Sequence, residues 1–252
     1  LTEILHHYHT SFSYTYFCQK SALEQPLNQY ETGQLFLIDK PIDWTSFDAV
    51  RKIRNTIKIK KVGHAGTLDP LATGLLIICT GKFTKQINEY MGMEKEYTGT
   101  ITLGHTTATY DRESEPENAK DIAHLTHEQL QTATLPFIGD ILQKPPMFSA
   151  IKKNGERLYE LARRGEAIEL EDRPVTISVF ELTKIELPHV HFKVVCSTGT
   201  YIRSLANDFG AALGVGGYLS SLRRTRIGKF IVEDAITVDQ AVTQIKTTLG
   251  KT

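Results

Sequence analysis

The segment that most restricts the fold is the apolar run Leu75-Leu76-Ile77-Ile78-Cys79. It is closed by Thr80-Gly81 and entered through the stretch Lys61 to Gly74, which carries three glycines and a proline. A short, branched run bounded by turn residues reads as a buried strand. A buried strand behind a glycine-rich loop is a stiff mount for irregular backbone, the usual setting for reacting groups. The acid of that loop is Asp69, and Pro70 drives its backbone toward extended conformations. Asp and Pro also favour turns for reasons unrelated to chemistry, so on those two residues alone a plain surface turn is the commoner reading.

A chain of 252 residues suits one domain of good size or two small ones. No apolar run approaches the roughly eighteen residues needed to span a bilayer, so no membrane is expected. Cys18, Cys79 and Cys196 lie far apart with no CxxC pair. Neither a zinc site nor a disulfide framework is indicated, and a reduced cytoplasm is the simplest fit. Lys+Arg and Asp+Glu balance at 29 each, but the charges are unevenly placed. Six bases fall between Arg51 and Lys61, and others cluster at Lys152-Lys153 with Arg157, at Arg163-Arg164, and at Arg223-Arg224 with Arg226 and Lys229. Acid gathers in 111–121 and 166–172. Charge runs are usually solvated faces, but several basic clusters flanking one glycine loop point to a phosphate backbone.

Residues 1–32 are aromatic and polar without a period, and lack the basic start and apolar core of a signal peptide. They are expected to be a poorly ordered or peripheral extension, with 33–252 forming the domain proper. His6, His7 and His9 suit a loose tail better than a metal site. Gln34 to Asp39 reads as a strand. Thr45-Ser46 then caps a helix to about Ile57, with Phe47, Val50, Ile53, Arg54 and Ile57 sharing a face. Lys82 to Met91 predicts a short helix, and Lys95 to Gly104 alternates as a strand. The acidic 106–121 reads as a loop, and Thr126 with Gln129 opens a capped helix. The prolines of Gln143 to Ala150 exclude regular structure, and a basic helix follows over 157–164. Val175–Leu187 and Val190–Cys196 predict two strands, whose His189 and His191 lack a third metal ligand. Residues 197–201 form a loop leading into a helix. The glycines of 210–217 lack the GxGxxG spacing of a dinucleotide loop. A strand and a helix over Val238 to about Thr248 close the domain.

The contiguous string Gly-His-Ala-Gly-Thr-Leu-Asp-Pro-Leu-Ala-Thr-Gly (63–74) resembles the catalytic motif of the TruB family, tRNA pseudouridine synthases acting on uridine 55 of the T-loop. The resemblance makes Asp69 the nucleophile and places His64, Gly66 and Thr67 in the loop that meets RNA. "LIDKPIDWTSFDAV" resembles the family's opening motif and sets Lys40 beside the site. The motif at 95–104 makes Tyr97 the tyrosine that stacks on the target base. "GTYIR" implies that Arg203 pairs with the catalytic aspartate, with Tyr201 on the substrate side. "LSSLRRTR" makes Leu222 a wall of the uridine pocket. The stretch at about 143–170 resembles an RNA-gripping insertion. Together these motifs cover roughly Gln34 to Ala241 and imply an α+β (mixed α/β) fold: a central, largely antiparallel sheet flanked by helices. They also imply a monomer acting on the T-arm of tRNA, with no metal, cofactor or protein partner. Many members continue into a small C-terminal RNA-binding domain, and this chain is expected to be a form lacking it.

Making pseudouridine breaks an N–C glycosidic bond, turns the base, and forms a C–C bond to the same sugar. Nothing is oxidised and no group is imported. A carboxylate suits the task, attacking either the base C6 or the sugar C1′, and a neighbouring guanidinium keeps it ionised. The base must first leave its stack, at a cost of a few kcal/mol recovered by stacking and fitted contacts. Two other classes fit parts of the pattern. An RNA-folding module would need the basic clusters but not the carboxylate. A sugar or nucleotide hydrolase would need a second acid, which no matched motif supplies.

Overall fold

The computed structural model describes residues 29–149, 151–153, 155–165 and 170–250. In chain order the elements begin with α1 (Gln29–Thr32), β1 (Leu35–Lys40), α2 (Ser46–Ile57), β2 (Val62–Ala65) and β3 (Ala72–Thr80). A 3-10 turn (Gly81–Gln86) leads into α3 (Ile87–Gly92), β4 (Lys95–Leu103), α4 (His127–Thr132) and β5 (Gly139–Gln143). A small hairpin, β6 (Lys152–Lys153) and β7 (Glu156–Arg157), precedes α5 (Leu158–Arg163). The long pair β8 (Arg173–Glu186) and β9 (His189–Cys196) leads to α6 (Ile202–Ala212) and β10 (Gly217–Ile227). The chain ends with β11 (Phe230–Ile231), β12 (Ile236–Thr237) and α7 (Val238–Thr248).

Ten strands form one sheet in the order β12-β1-β3-β10-β4-β9-β8-β5, with β2 paired to β3 and β11 to β10. The sheet is mixed. β1–β12 and β3–β10 are parallel and the other pairs antiparallel. β3 reads as an unbroken apolar run because both of its faces are covered. Leu76 and Ile78 pack with Val50 and Ile53 of α2 and Ile245 of α7, while Leu75, Ile77 and Cys79 pack with Tyr90 and Ile227. On β4 and β9 one face packs into the core, where Tyr97, Ile101, Phe192 and Val194 meet Leu205 and Phe209 of α6. The other face, with Thr98, Thr100 and His191, is partly open.

Helix starts follow local chemistry. Thr45 and Asp48 form a reciprocal capping box on α2, Thr126 and Gln129 do so on α4, and Thr237 and Gln240 on α7. Four expectations need correction. The buried stripe of α2 is Ser46, Ala49, Val50, Ile53 and Ile57. Phe47 lies beside that stripe, 54% exposed, with the Arg54 guanidinium 5.7 Å from its ring centroid. Residues 62–65 are a strand rather than loop, since Gly63 to Ala65 pair with Ile77 to Cys79. The described part of the N-terminal segment is not peripheral. Tyr30 is buried and stacks on Phe36, so the packed body includes α1. Residues 1–28, with the three early histidines, lie outside the described residues, as do 166–169 of the expected insertion. Finally, Arg224 does not belong to a surface basic cluster, being 1% exposed. Among the described residues no group of His, Cys, Asp and Glu could hold a metal ion, and no helix is long and apolar enough to cross a membrane.

Candidate active site

Asp69 sits in the connection between β2 and β3, and that connection is held from three sides. From α2, the Ser46 hydroxyl donates to the Leu68 carbonyl at 3.2 Å and accepts from the Leu68 N–H at 2.8 Å. From β1, the Lys40 ammonium donates to the carbonyls of Pro41, Trp44 and Pro70 at 2.8, 2.6 and 3.3 Å. From β10, Arg224 donates through Nε to the Leu75 carbonyl at 2.7 Å and through Nη2 to the Gly66 carbonyl at 3.1 Å. Gly66 has φ +89°, a left-handed conformation that glycine adopts without steric cost. The parallel register Leu222↔Ala72 and Arg224↔Gly74 brings β10 against the loop's exit.

The Asp69 carboxylate emerges from this frame 43% exposed, with Oδ2 2.9 Å from Nε of Arg203. Arg203 lies in the first turn of α6, and its side chain is only 7% exposed. A cation near a helix N-terminus opposes the helix dipole, and here acceptors surround it. Nη1 donates to the Thr109 carbonyl at 3.2 Å and Nη2 to the Phe148 carbonyl at 3.0 Å. A second carboxylate, Asp111, has Oδ2 3.6 Å from Arg203 Nε and is 8% exposed. Its Oδ1 accepts from the Thr109 hydroxyl at 2.6 Å and the Glu113 N–H at 2.9 Å. The sequence did not single out Asp111. An acid in an acidic loop carries no mark of burial, and only the neighbouring threonines hint that its oxygens are occupied.

A cavity of about 410 Å³ opens beside Asp69, within the range of small-ligand sites. Tyr97, Tyr201, Leu222, Gly66 and Thr67 all line it. Tyr97 stands next to Arg224 across the β4–β10 pair, and burial holds its phenol above the usual range, so it is protonated at neutral pH. Tyr201 caps α6, its backbone tied to the Gln143 side chain at 2.8 and 3.0 Å. Burial raises its phenol as well. Lys95 also lines the cavity. Its ammonium donates to the carbonyls of Met91 and Met93, and burial lowers it to about 8.

Lys40, expected on the substrate side, is fully buried beneath the loop and does not line the cavity. Burial lowers its ammonium to about 8, against the attraction of Asp69 and Asp43. His64 faces a wider cavity of about 800 Å³, shared with Asp69, Phe47, Phe148, Tyr159 and Arg163. Its Nδ1 is buried without a hydrogen-bond partner among the described residues. Burial, reinforced by the Arg224 charge, holds the imidazole below its ordinary value, so it is neutral at pH 7.

Residues 54–202 match the family model described as TruB family pseudouridylate synthase (N terminal domain). Residues 203–248 match a model described as tRNA pseudouridylate synthase B C-terminal domain. That second segment supplies α6, β10 and α7, which are built into the same sheet and core rather than a separate body. A curated relative named tRNA pseudouridine synthase B from Flavobacterium johnsoniae is 54% identical over 217 residues, covering 83% of this chain and 95% of the relative. A protein of the same name from Chlorobium chlorochromatii is 49% identical over 238 residues, 92% of each chain. Among solved structures, one described as a Cbf5-Nop10-Gar1 complex aligns with a TM-score of 0.68 at 30% identity. It covers 88% of this chain, which spans 58% of the solved one. An H/ACA RNP bound to a substrate RNA containing 2'-deoxyuridine aligns at 0.66 and 26% identity, over 90% of this chain and 59% of that one.

Proposed function

Because this chain belongs to the TruB family of pseudouridylate synthases, which convert uridine to pseudouridine in tRNA, we propose that Asp69 performs that isomerisation on a uridine everted from the T-loop, position 55. The observation that carries the reading is the Asp69–Arg203 contact of 2.9 Å at the edge of an open cavity. The guanidinium pairs with Asp69 and fixes its direction, while the exposed part of the carboxylate is left for the nucleotide.

In this reading the reaction balances within one nucleotide. The N1–C1′ bond breaks, the uracil turns, the C5–C1′ bond forms, and the C5 proton is lost as N1 gains one. Tyr97 supplies the face on which the base rests, with its hydroxyl still protonated. Leu222 forms the opposing wall, and Gly66, Thr67 and Tyr201 complete the pocket. Arg203 balances the carboxylate as charge shifts, with Asp111 behind it. His64 is uncharged and stands in the wider cavity, which suits an imidazole that fills the gap left by the everted nucleotide. Lys40 contributes through the loop, holding the Pro70 carbonyl one residue past the nucleophile.

The T-arm lies in the wider cavity between Phe47 of α2 and the segment 143–165, whose Phe148, Tyr159 and Arg163 face the same space. The chain acts as a monomer, without a protein partner, in the cytoplasm where its tRNA substrates are modified. The test is to incubate the protein with unmodified tRNA transcript and map pseudouridine. Wild type forms it at position 55 and Asp69→Asn forms none, though it still binds the transcript. Activity surviving Asp69→Asn overturns the reading.

A further inference from the structure

The open face of the sheet carries a second depression, of about 330 Å³, beyond the Asp69 cavity. Strand register explains its floor. Thr98 and Thr100 of β4 stand opposite Arg223 and Ser221 of β10, so hydroxyls and a guanidinium share one face. His191 closes one side, its Nδ1 3.0 Å from the Thr100 hydroxyl. Among the described residues that line the depression there is no carboxylate.

Two arginines reach it, and they differ. Arg223 is neutralised by a bidentate contact to Asp39, at 3.0 and 2.7 Å. Arg112 is exposed and forms no ion pair among the described residues. It follows Asp111 directly, and that acid is fixed by Arg203, Thr109 and Glu113. Its backbone origin is therefore pinned while its charge is unmatched. Glu113, the next acid along, is engaged by Arg163 at 3.7 Å. Arg112 also lines the small recess that contains Asp69 and Arg203, together with Leu71, Ser221 and Leu222. Those four residues line both spaces, so the depression is continuous with the catalytic cleft.

We propose that this depression is a subsite for the sugar–phosphate backbone of a nucleotide flanking the everted uridine, with Arg112 holding its phosphate. An unmatched guanidinium among hydroxyls, with no acid in the lining, suits one phosphate and the ribose hydroxyl beside it. Arg223 and Asp39 form a neutral edge there. This inference rests on the proposed function and extends it to the path of the strand beyond the target.

The test uses the full chain and a T-arm hairpin, with KM and kcat measured across a salt series. Arg112→Gln is expected to raise KM about tenfold, change kcat less than twofold, and lower the slope of log KM against log salt by about 0.7 to 0.9, the loss of one phosphate contact. Arg112→Lys should keep most of that slope. A set of hairpins, each with one neutral methylphosphonate linkage near the target, locates the phosphate. At the right linkage wild type and Arg112→Gln become equal in KM. A wild-type KM and slope in Arg112→Gln overturn the subsite. So does a KM difference that survives every single neutral linkage, or a fall in kcat with KM unchanged, which assigns Arg112 to positioning Asp111. If wild type forms no pseudouridine in any RNA, the functional reading itself fails. If only Asp69→Asn is inactive and Arg112→Gln matches wild type, the subsite alone falls.

Discussion

Arg203 is 7% exposed, while the Asp69 carboxylate it holds at 2.9 Å is 43% exposed. The pair is thus a buried cation carrying a half-open acid. The cation has lost its water and depends on four protein acceptors, two carboxylates and two carbonyls. The acid keeps a free face. In the proposed mechanism that division of burial lets one side chain fix direction while the other meets the substrate.

Replacing Arg203 with lysine tests the fork geometry. An ammonium keeps the charge but cannot reach Asp69, Asp111, Thr109 and Phe148 together. Single-turnover pseudouridine formation by Arg203→Lys is expected to fall about 100-fold or more. Urea unfolding should show a loss of about 1–3 kcal/mol from the abandoned carbonyls. Turnover near wild type would mean that charge alone suffices.

Asp111 is the other partner of the guanidinium, and its substitution separates charge from shape. Asp111→Asn can keep the contacts from the Thr109 hydroxyl and the Glu113 N–H. Among the described residues it leaves Asp69 as the only carboxylate on Arg203, so the ion pair draws closer and, in the proposed mechanism, Asp69 is held back from the uridine. We expect at least a tenfold lower kcat with hairpin affinity little changed, read by single-turnover kinetics and filter binding. Asp111→Ala should lose stability as well, by about 1–3 kcal/mol, because it strips those donors.

Lys40 gives a pH signature. Its folded-state value of about 8 lies below its ordinary 10.5. Between those limits the unfolded chain binds more protons, so the lysine's contribution to stability rises with pH. Below pH 8 the cost of burying the charge is present in full. Lys95, also lowered to about 8, acts in the same direction. From pH 7.5 to 9.5, wild type should gain unfolding free energy relative to Lys40→Met, measured in urea. At every pH Lys40→Met should be less stable by at least about 2 kcal/mol, since three carbonyls lose their donor. A constant gap across that range would show that Lys40 does not titrate there.

What could be read from sequence was what local chemistry decides. The cap at Thr45, the pair Thr126/Gln129, the strand at 75–79 and the alternation of 95–104 depend on neighbours within a few residues. So does the glycine loop that presents Asp69. What escaped depends on contacts across the chain. Arg224 looks like one base in a surface cluster until the parallel pairing of β10 with β3 buries it against Leu75 and Gly66, about 150 residues away. Lys40 lies in a matched motif, but only the approach of Pro70 and Trp44 turns its ammonium inward. Asp111 is buried because α6 delivers Arg203 to it. Phe47 has a core residue's composition and spacing, yet the first turn of α2 overhangs the cleft and leaves it exposed.

Gly74 joins the loop to the sheet, and its substitution measures how tightly the two are fitted. It has φ +101°, and a Cβ there would lie 2.3 Å from the Arg224 carbonyl oxygen and 2.8 Å from its nitrogen. The same residue pairs with Lys40 on its other side, so the strand cannot shift away without breaking a second ladder. Gly74→Ala should therefore move β10, and with it the Arg224 contacts to Gly66 and Leu75, at a cost of about 3 kcal/mol or more. Gly139 provides the comparison, having φ +99° but no atom within 4 Å of the point a Cβ would occupy. Gly139→Ala carries the backbone strain without the collision, about 1–2 kcal/mol. Urea midpoints for the two variants separate these effects. Equal losses would mean that the loop-to-sheet junction is looser than the β3–β10 register implies.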